Sequence, residues 1–248
     1  MVWGIAKYEF LMAIRRWGVW LAFALAGALI AVNAPSFLPK LARESGVWAA
    51  AGMAAFMLNL WMPLVAGITL ADRLPRDEQL ITLELLRSTA VTRWRMVVGK
   101  YLGGLMAVSL PVAVVTTIVT ALGVASGVSV RLVAASATAF LCVNLPPLAF
   151  VAAFSIACPA ILPVRVYQVL FTGYWFWGNF LNPRVLPTVN GTVLVASGLP
   201  QARAFFDVPM GQPVTTGFAA LNLTTLTACA VIALAAVIQY LRYQDARA

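Results

Sequence analysis

The sequence predicts an all-α integral membrane protein with six transmembrane helices and both termini in the cytoplasm. Three observations predict it. Of its 248 residues 62% are hydrophobic and 10% charged, against about 45–50% and about 25% in an ordinary soluble domain, and mean hydropathy is +0.90. So few charges cannot cover a soluble fold of this size. The apolar residues fall into runs near the length of about 20 residues that a helix needs to cross the hydrocarbon core. Lys and Arg also collect on alternate connections. Lys7, Arg15, Arg16, six residues within 71–100, Arg165, Arg242 and Arg247 fall on one side, and Lys40, Arg43, Arg131, Arg184 and Arg203 on the other. Twelve against five puts the first side in the cytoplasm.

The chain reads as one transmembrane domain, 1–248. Residues 1–16 mix Lys7, Glu9, Arg15 and Arg16 with Trp3, Tyr8 and Phe10, which suits an interfacial helix at the cytoplasmic surface. The first span is 17–34. Its basic flank and apolar run imitate a signal peptide, but Pro35 would follow the cleavage point directly, so the run is expected to be retained. Pro35, Pro39, Lys40, Arg43 and Glu44 make 35–46 a loop. The second span is 47–70, bent at Pro63, and 71–100 is a cytosolic segment. The third span is 101–125. A tight turn around Gly127 leads to 132–162, which is too long for one straight crossing and is expected to be kinked at Pro146 and Pro147. The fifth span, 166–181, carries Trp175, Phe176 and Trp177 as an interfacial aromatic belt would. Residues 182–216 form an extracytoplasmic loop. Within it, 192–199 is apolar but too short to cross, and suits an outer re-entrant segment before span six if protein covers its backbone. The last span is 217–241.

The composition excludes several chemistries. There is no histidine, hence no Ser-His-Asp or Cys-His catalysis and no His metal site. Cys142, Cys158 and Cys229 lie in apolar stretches and read as small packing residues. No GxxxxGK[ST] phosphate loop occurs, so any driving ATP hydrolysis belongs to another chain. The net charge of +9 comes without a polar domain to carry nucleic acid. None of the eight acidic residues falls at the middle of a span, which argues against a proton-coupled carrier, a charged filter ring or an intramembrane enzyme. The polar groups inside the spans include Asn59, Thr116, Thr120, Asn144, Ser155 and Asn222. Such groups more often bond between helices or back to their own backbone than line a path, and the sequence assigns no substrate path.

The chemistry-bearing stretch is 71–100. Asp77 to Arg87 favours helix, Ser88 and Thr89 break it, and Thr92 suits the N-cap of a helix running into the third span. Leu80, Leu83 and Leu86 recur at helical spacing on a short cytosolic helix, which needs something to pack against.

The string TLELLRSTAVTRWRMVVGKYLGGL resembles the ABC type-2 permease family, the membrane subunits of ABC exporters. Thr82, Leu83, Glu84, Leu85 and Leu86 match its pattern, as do Ser88, Thr89, Val91, Arg93, Gly99 and Lys100, with Thr92 where serine is common. Ile81 stands where the family has glycine and Ala90 where it has proline. The resemblance implies that 77–90 is a coupling helix seated on a separate ATPase subunit. Two permease copies, identical or different, would enclose the substrate path in a prokaryotic plasma (inner) membrane. ATP and Mg would be bound by the partner ATPase, and no cofactor by this chain. It assigns the coupling contacts to Leu83, Glu84, Leu86, Arg87, Thr89 and Arg93. Arg95, Lys100, Arg15 and Arg16 are expected to anchor the chain at the lipid headgroups. A non-transporting membrane scaffold or assembly factor accounts for the spans and the charge bias as well, but not for the Thr82–Arg93 string.

Overall fold

Helices follow the apolar runs closely. The computed structural model describes residues 2–74 and 92–247, and among them every regular element is helical. In chain order they are α1 (Val2–Ile14), α2 (Trp17–Glu44), α3 (Val47–Leu70), α4 (Arg93–Ala125), α5 (Arg131–Ala139), α6 (Leu145–Ala157), α7 (Val164–Asn179), α8 (Leu199–Phe206) and α9 (Thr216–Asp245). A π-helical turn, Phe140–Asn144, joins α5 to α6, and a 3₁₀ turn, Cys158–Ala160, ends α6. Among the described residues five helices are long and apolar enough to cross a membrane: α2, α3, α4, the composite Arg131–Ala160 and α9. Leu21, Leu25, Leu29, Val114, Ile118, Val231 and Ile232 are exposed on them, the outward apolar surface of a multi-pass membrane protein.

The loop expected at 35–46 is helix instead. α2 runs through Pro35 and Pro39 to Glu44, and the turn is only Ser45–Gly46, with Gly46 at φ 93°. Each proline removes one backbone donor, yet tertiary packing outweighs that loss. Phe23, Gly27, Ala34 and Leu38 form one buried stripe that continues past the first proline, and Leu38 packs with Val119 and Leu132. At about 1.5 Å per residue α2 is about 42 Å long and α4 about 50 Å, both longer than a hydrocarbon core of about 30 Å.

The kink expected at Pro146 and Pro147 takes the form of the π-helical turn just before them. Pro147 has no N–H to give the Val143 carbonyl. Asn59 of α3 gives it one instead, Nδ2 donating to the Val143 oxygen at 2.5 Å. Asn144 returns the bond, donating to the Ala55 carbonyl at 2.9 Å and to Asn59 Oδ1 at 2.8 Å. Both asparagines are fully buried. Span polar groups thus bridge helices or bond back to their own backbone, as expected: Ser155 meets Tyr167, and Thr116, Thr120 and Thr227 each donate to the carbonyl four residues earlier.

The helices alternate in direction. Arg16 at the start of α2 meets Asp72 just after α3, and Arg93 at the start of α4 meets Asp245 at the end of α9. α1 also packs on the start of α4. Both ends of the described chain therefore lie at one end of the bundle, termed the base. α3 and the composite helix are central, with 61% of their most apolar windows buried, against 22% for α2 and α9.

Between the composite helix and α9, α7 carries the chain back from the base. α7 has 16 residues and runs antiparallel to α3, with Gln168 donating to the Ile68 carbonyl and Trp175 to that of Leu60. Trp175 is therefore no part of an interfacial belt: its ring is fully buried and its N–H is spent inside the bundle, while Phe176 and Trp177 are exposed.

The 192–199 stretch is inserted among helices. Val195, Ala196 and Ser197 are buried, and Asn222 of α9 donates to the Val193 and Val195 carbonyls at 2.8 and 2.9 Å. Gly198, at φ 75°, lies so close to Asn59, midway along α3, that a Cβ there would stand 2.4 Å from Asn59 Nδ2. From this depth α8 runs back toward the start of α3, where Phe206 packs beside Gly52 and Trp48.

Candidate functional site at the charged base

The base is where the described chain leaves α3 at Leu74 and resumes at Thr92 before α4. The segment between them carries most of the Thr82–Arg93 string. Leu83, Glu84, Leu86, Arg87 and Thr89, together with the whole of the helix expected over 77–90, lie outside the described residues. What is described is how both stems of that segment are held.

The first tie is a buried ionic cluster. α1 lies across α4 at Gly99 and Gly103, where a Cβ on Gly103 would stand 2.5 Å from the Ala6 carbonyl and 2.6 Å from Glu9 Cβ. Small residues let the two backbones touch, and that contact carries Glu9 into the packed interior. There its carboxylate accepts from Lys100 Nζ at 2.5 Å. Arg73, on the α3 stem, stands 3.9 Å from the other carboxylate oxygen. All three side chains are buried: Lys100 is 3% exposed, and Glu9 and Arg73 5% each. Lys100 thus sits among helices rather than at the headgroups, because Glu9 offers a buried partner that the distant sequence position of α1 concealed.

The second tie is Arg16 to Asp72 at 2.9 Å, part-exposed, with Arg73 Nε 3.8 Å from the other Asp72 oxygen. α1, the start of α2 and the end of α3 are so joined through alternating charges. Arg15 is exposed beside them, and Trp20 donates to the Ile14 carbonyl, closing the turn between α1 and α2.

The third tie is Arg93, one of the residues assigned to coupling. Its guanidinium forms a fork on the Asp245 carboxylate, with Nε and Nη2 each at 2.5 Å from an oxygen. Bidentate pairing of this kind fixes orientation as well as distance. Thr92 occupies the N-cap position, at φ −71° and ψ 144°, without its side chain capping the helix. Arg95, half-buried, stands 5.4 Å over the ring of the exposed Trp94.

The structure therefore brings Arg93, Lys100 and Arg16 into one charged base with Glu9, Asp72, Arg73 and Asp245. Those four were missed as site residues. The signals were present: Glu9 is the one carboxylate of the first span's flank, and Lys100 lies between glycines at 99 and 103. Chemically the base binds its own charges to one another and makes a stiff frame for the two ends of a segment. Compared with known proteins, the chain matches no family model and no curated protein.

Proposed function

We propose that this chain is the transmembrane permease subunit of an ATP-driven ABC transporter, an exporter, working with a separate ATPase subunit and a second permease copy in a prokaryotic plasma membrane. The observation that carries the reading is the tying of both stems of 75–91 to the charged base. A segment that passes force from an ATPase to spanning helices must be attached stiffly to those helices, or its movement is lost in local bending. Arg73 on one stem, and Arg93 and Lys100 on the other, reach α1 and α9 through ion pairs. ATP binding would then close the ATPase pair and move α3 and α4 together with α1.

Further features support the reading. An even number of crossings, with α7 as the short fifth, keeps both termini on the basic, cytoplasmic side. α1 exposes Trp3 and Tyr8 while burying Ala6, Glu9 and Ala13, as an interfacial helix docked on the bundle would. The inserted 192–199 stretch, with its carbonyls held by Asn222, suits an outer re-entrant segment. The charge-poor spans suit apolar or amphipathic cargo.

Co-purification with candidate ATPases from the same cell tests the reading, followed by ATPase assays on wild type, Glu84→Ala/Arg93→Ala and Asp245→Ala. Stable binding of an ATPase is expected. The double variant should uncouple hydrolysis from the membrane part, and Asp245→Ala should do so partially while leaving binding intact. If no ATPase binds the folded chain, the scaffold reading replaces this one.

A further inference from the structure

At the end of the bundle opposite the base, a pocket of about 690 Å³ opens between the 182–191 stretch, α8, the 211–215 loop and the start of α9. Its lining joins two arginines, Arg184 and Arg203, to side-chain amides such as Asn190 and an apolar floor that includes Leu199 and Phe218. No carboxylate lines it. Neither arginine has an ion-pair partner among the described residues, although Asp207 follows Arg203 by four positions, at the C-cap of the same short helix. Arg203 makes one long bond, Nη1 to the Gln212 carbonyl at 3.5 Å, and its Nε is buried with no partner. Arg184 is exposed, but Arg203 is half-buried like Arg16 and Arg93, which meet the carboxylates of Asp72 and Asp245.

We propose that this pocket binds a phosphate group, as a monoester or diester, carried on an apolar body. Two guanidinium groups from separate segments can bracket an anion, and arginine forks match phosphate oxygens in pairs. A partly desolvated cation without a carboxylate gains more from an anion than an exposed one does. The apolar floor beside the two cations separates this ligand from a bare inorganic ion. The pocket lies beside the inserted 192–199 stretch, sharing Val195 and Leu199 with it, so a ligand there would touch that stretch. The site stands independently of the transport reading.

The test is native mass spectrometry of the full-length chain in detergent, with phosphatidylglycerol or phosphatidylcholine added, backed by melting curves. Wild type is expected to retain phosphatidylglycerol over phosphatidylcholine. Arg184→Gln and Arg203→Gln should each weaken retention about tenfold, the scale of one lost charge-assisted bond. Arg203→Lys, which keeps the charge and the fold, should fall between. Arg131→Gln, exposed outside the pocket, should change nothing. Inorganic phosphate and glycerol 3-phosphate are then titrated in. Displacement of the lipid by either names a soluble phosphate compound as the ligand source, and resistance to both names the lipid headgroup. Equal retention of the two lipids together with no phosphate binding overturns the site, as does undiminished phosphatidylglycerol retention in the Arg184→Gln/Arg203→Gln variant.

Discussion

The Lys100 ammonium meets the Glu9 carboxylate at 2.5 Å across the α1–α4 contact, although the two lie 91 positions apart in sequence. The pair ties the N-terminal helix to the start of the longest helix. In an interior of low dielectric, removing one member leaves a buried charge uncompensated, at about 3–5 kcal/mol. The two members are not equivalent, because Glu9 also faces Arg73 at 3.9 Å. Glu9→Gln is expected to lower the melting temperature of the purified chain more than Lys100→Met does. The double variant Glu9→Met/Lys100→Met should recover part of the loss, since a matched apolar pair is often neutral where a broken ion pair is not. A double variant no better than Glu9→Gln alone would show that the pair is not the source of the effect.

Docking of α1 depends on the absence of side chains at Gly99 and Gly103. A Cβ on Gly103 would meet the Ala6 carbonyl, which is backbone and cannot swing aside. Gly103→Ala should therefore push α1 away at a cost of about 1–3 kcal/mol, the usual range for overpacking. Hydrogen exchange across residues 2–14 should rise sharply while that of α3 stays unchanged. The same substitution at Gly173, with open space around it, is the control. Slow exchange in α1 of the Gly103→Ala chain would count against this account.

Much of the architecture was legible because membrane helices write themselves in one dimension. A run such as 47–70 has no charges and no alternative to helix in lipid, so its ends in the structure match the sequence. The failures share one cause, which is packing between segments far apart in the chain. Pro35 and Pro39 signal a loop locally, yet Leu38 packs with Leu132 and holds the helix. Trp175 reads as a belt residue until the Leu60 carbonyl is found opposite it. Lys100 reads as a headgroup anchor until α1 folds back over it. The candidate site was legible in part: Arg93 follows from a motif, but Glu9, Arg73 and Asp245 become site residues only through pairs that sequence spacing does not encode.

Arg93 and Asp245 offer a test that separates charge from geometry. Their fork is part-exposed, at 13% and 34%, so the stability at stake is modest, at most about 1–2 kcal/mol. Arg93→Lys keeps the charge but loses the fork, and should behave nearly as Arg93→Ala in any assay that reads the position of α4 relative to α9. A spin-label pair on the first turn of α4 and the last turn of α9 measures that position directly. The swap Arg93→Asp/Asp245→Arg should restore the distance distribution. If Arg93→Lys leaves the distribution as narrow as wild type, the pair acts only as a contact of charges.

The midpoint of the bundle makes the sharpest prediction, because one pair of asparagines satisfies what a proline removes. Asn59 holds the Val143 carbonyl that Pro147 cannot serve, and Asn144 holds Asn59 and the Ala55 carbonyl. Asn59→Leu keeps the approximate volume but leaves Val143 without this donor and Asn144 without its Oδ1 partner. Its expected cost is about 1–3 kcal/mol. Pro147→Ala restores a backbone donor at that turn, so Asn59→Leu/Pro147→Ala should lose less stability than Asn59→Leu alone. The two substitutions are therefore expected to be non-additive, read as a coupling of about 0.5–2 kcal/mol in a double-mutant cycle on melting. Strict additivity would mean that Asn59 acts through Gly198 and the inserted stretch. In that case Gly198→Ala, which places a Cβ 2.4 Å from Asn59 Nδ2, should reproduce the Asn59→Leu defect, with exchange rising first over residues 193–199.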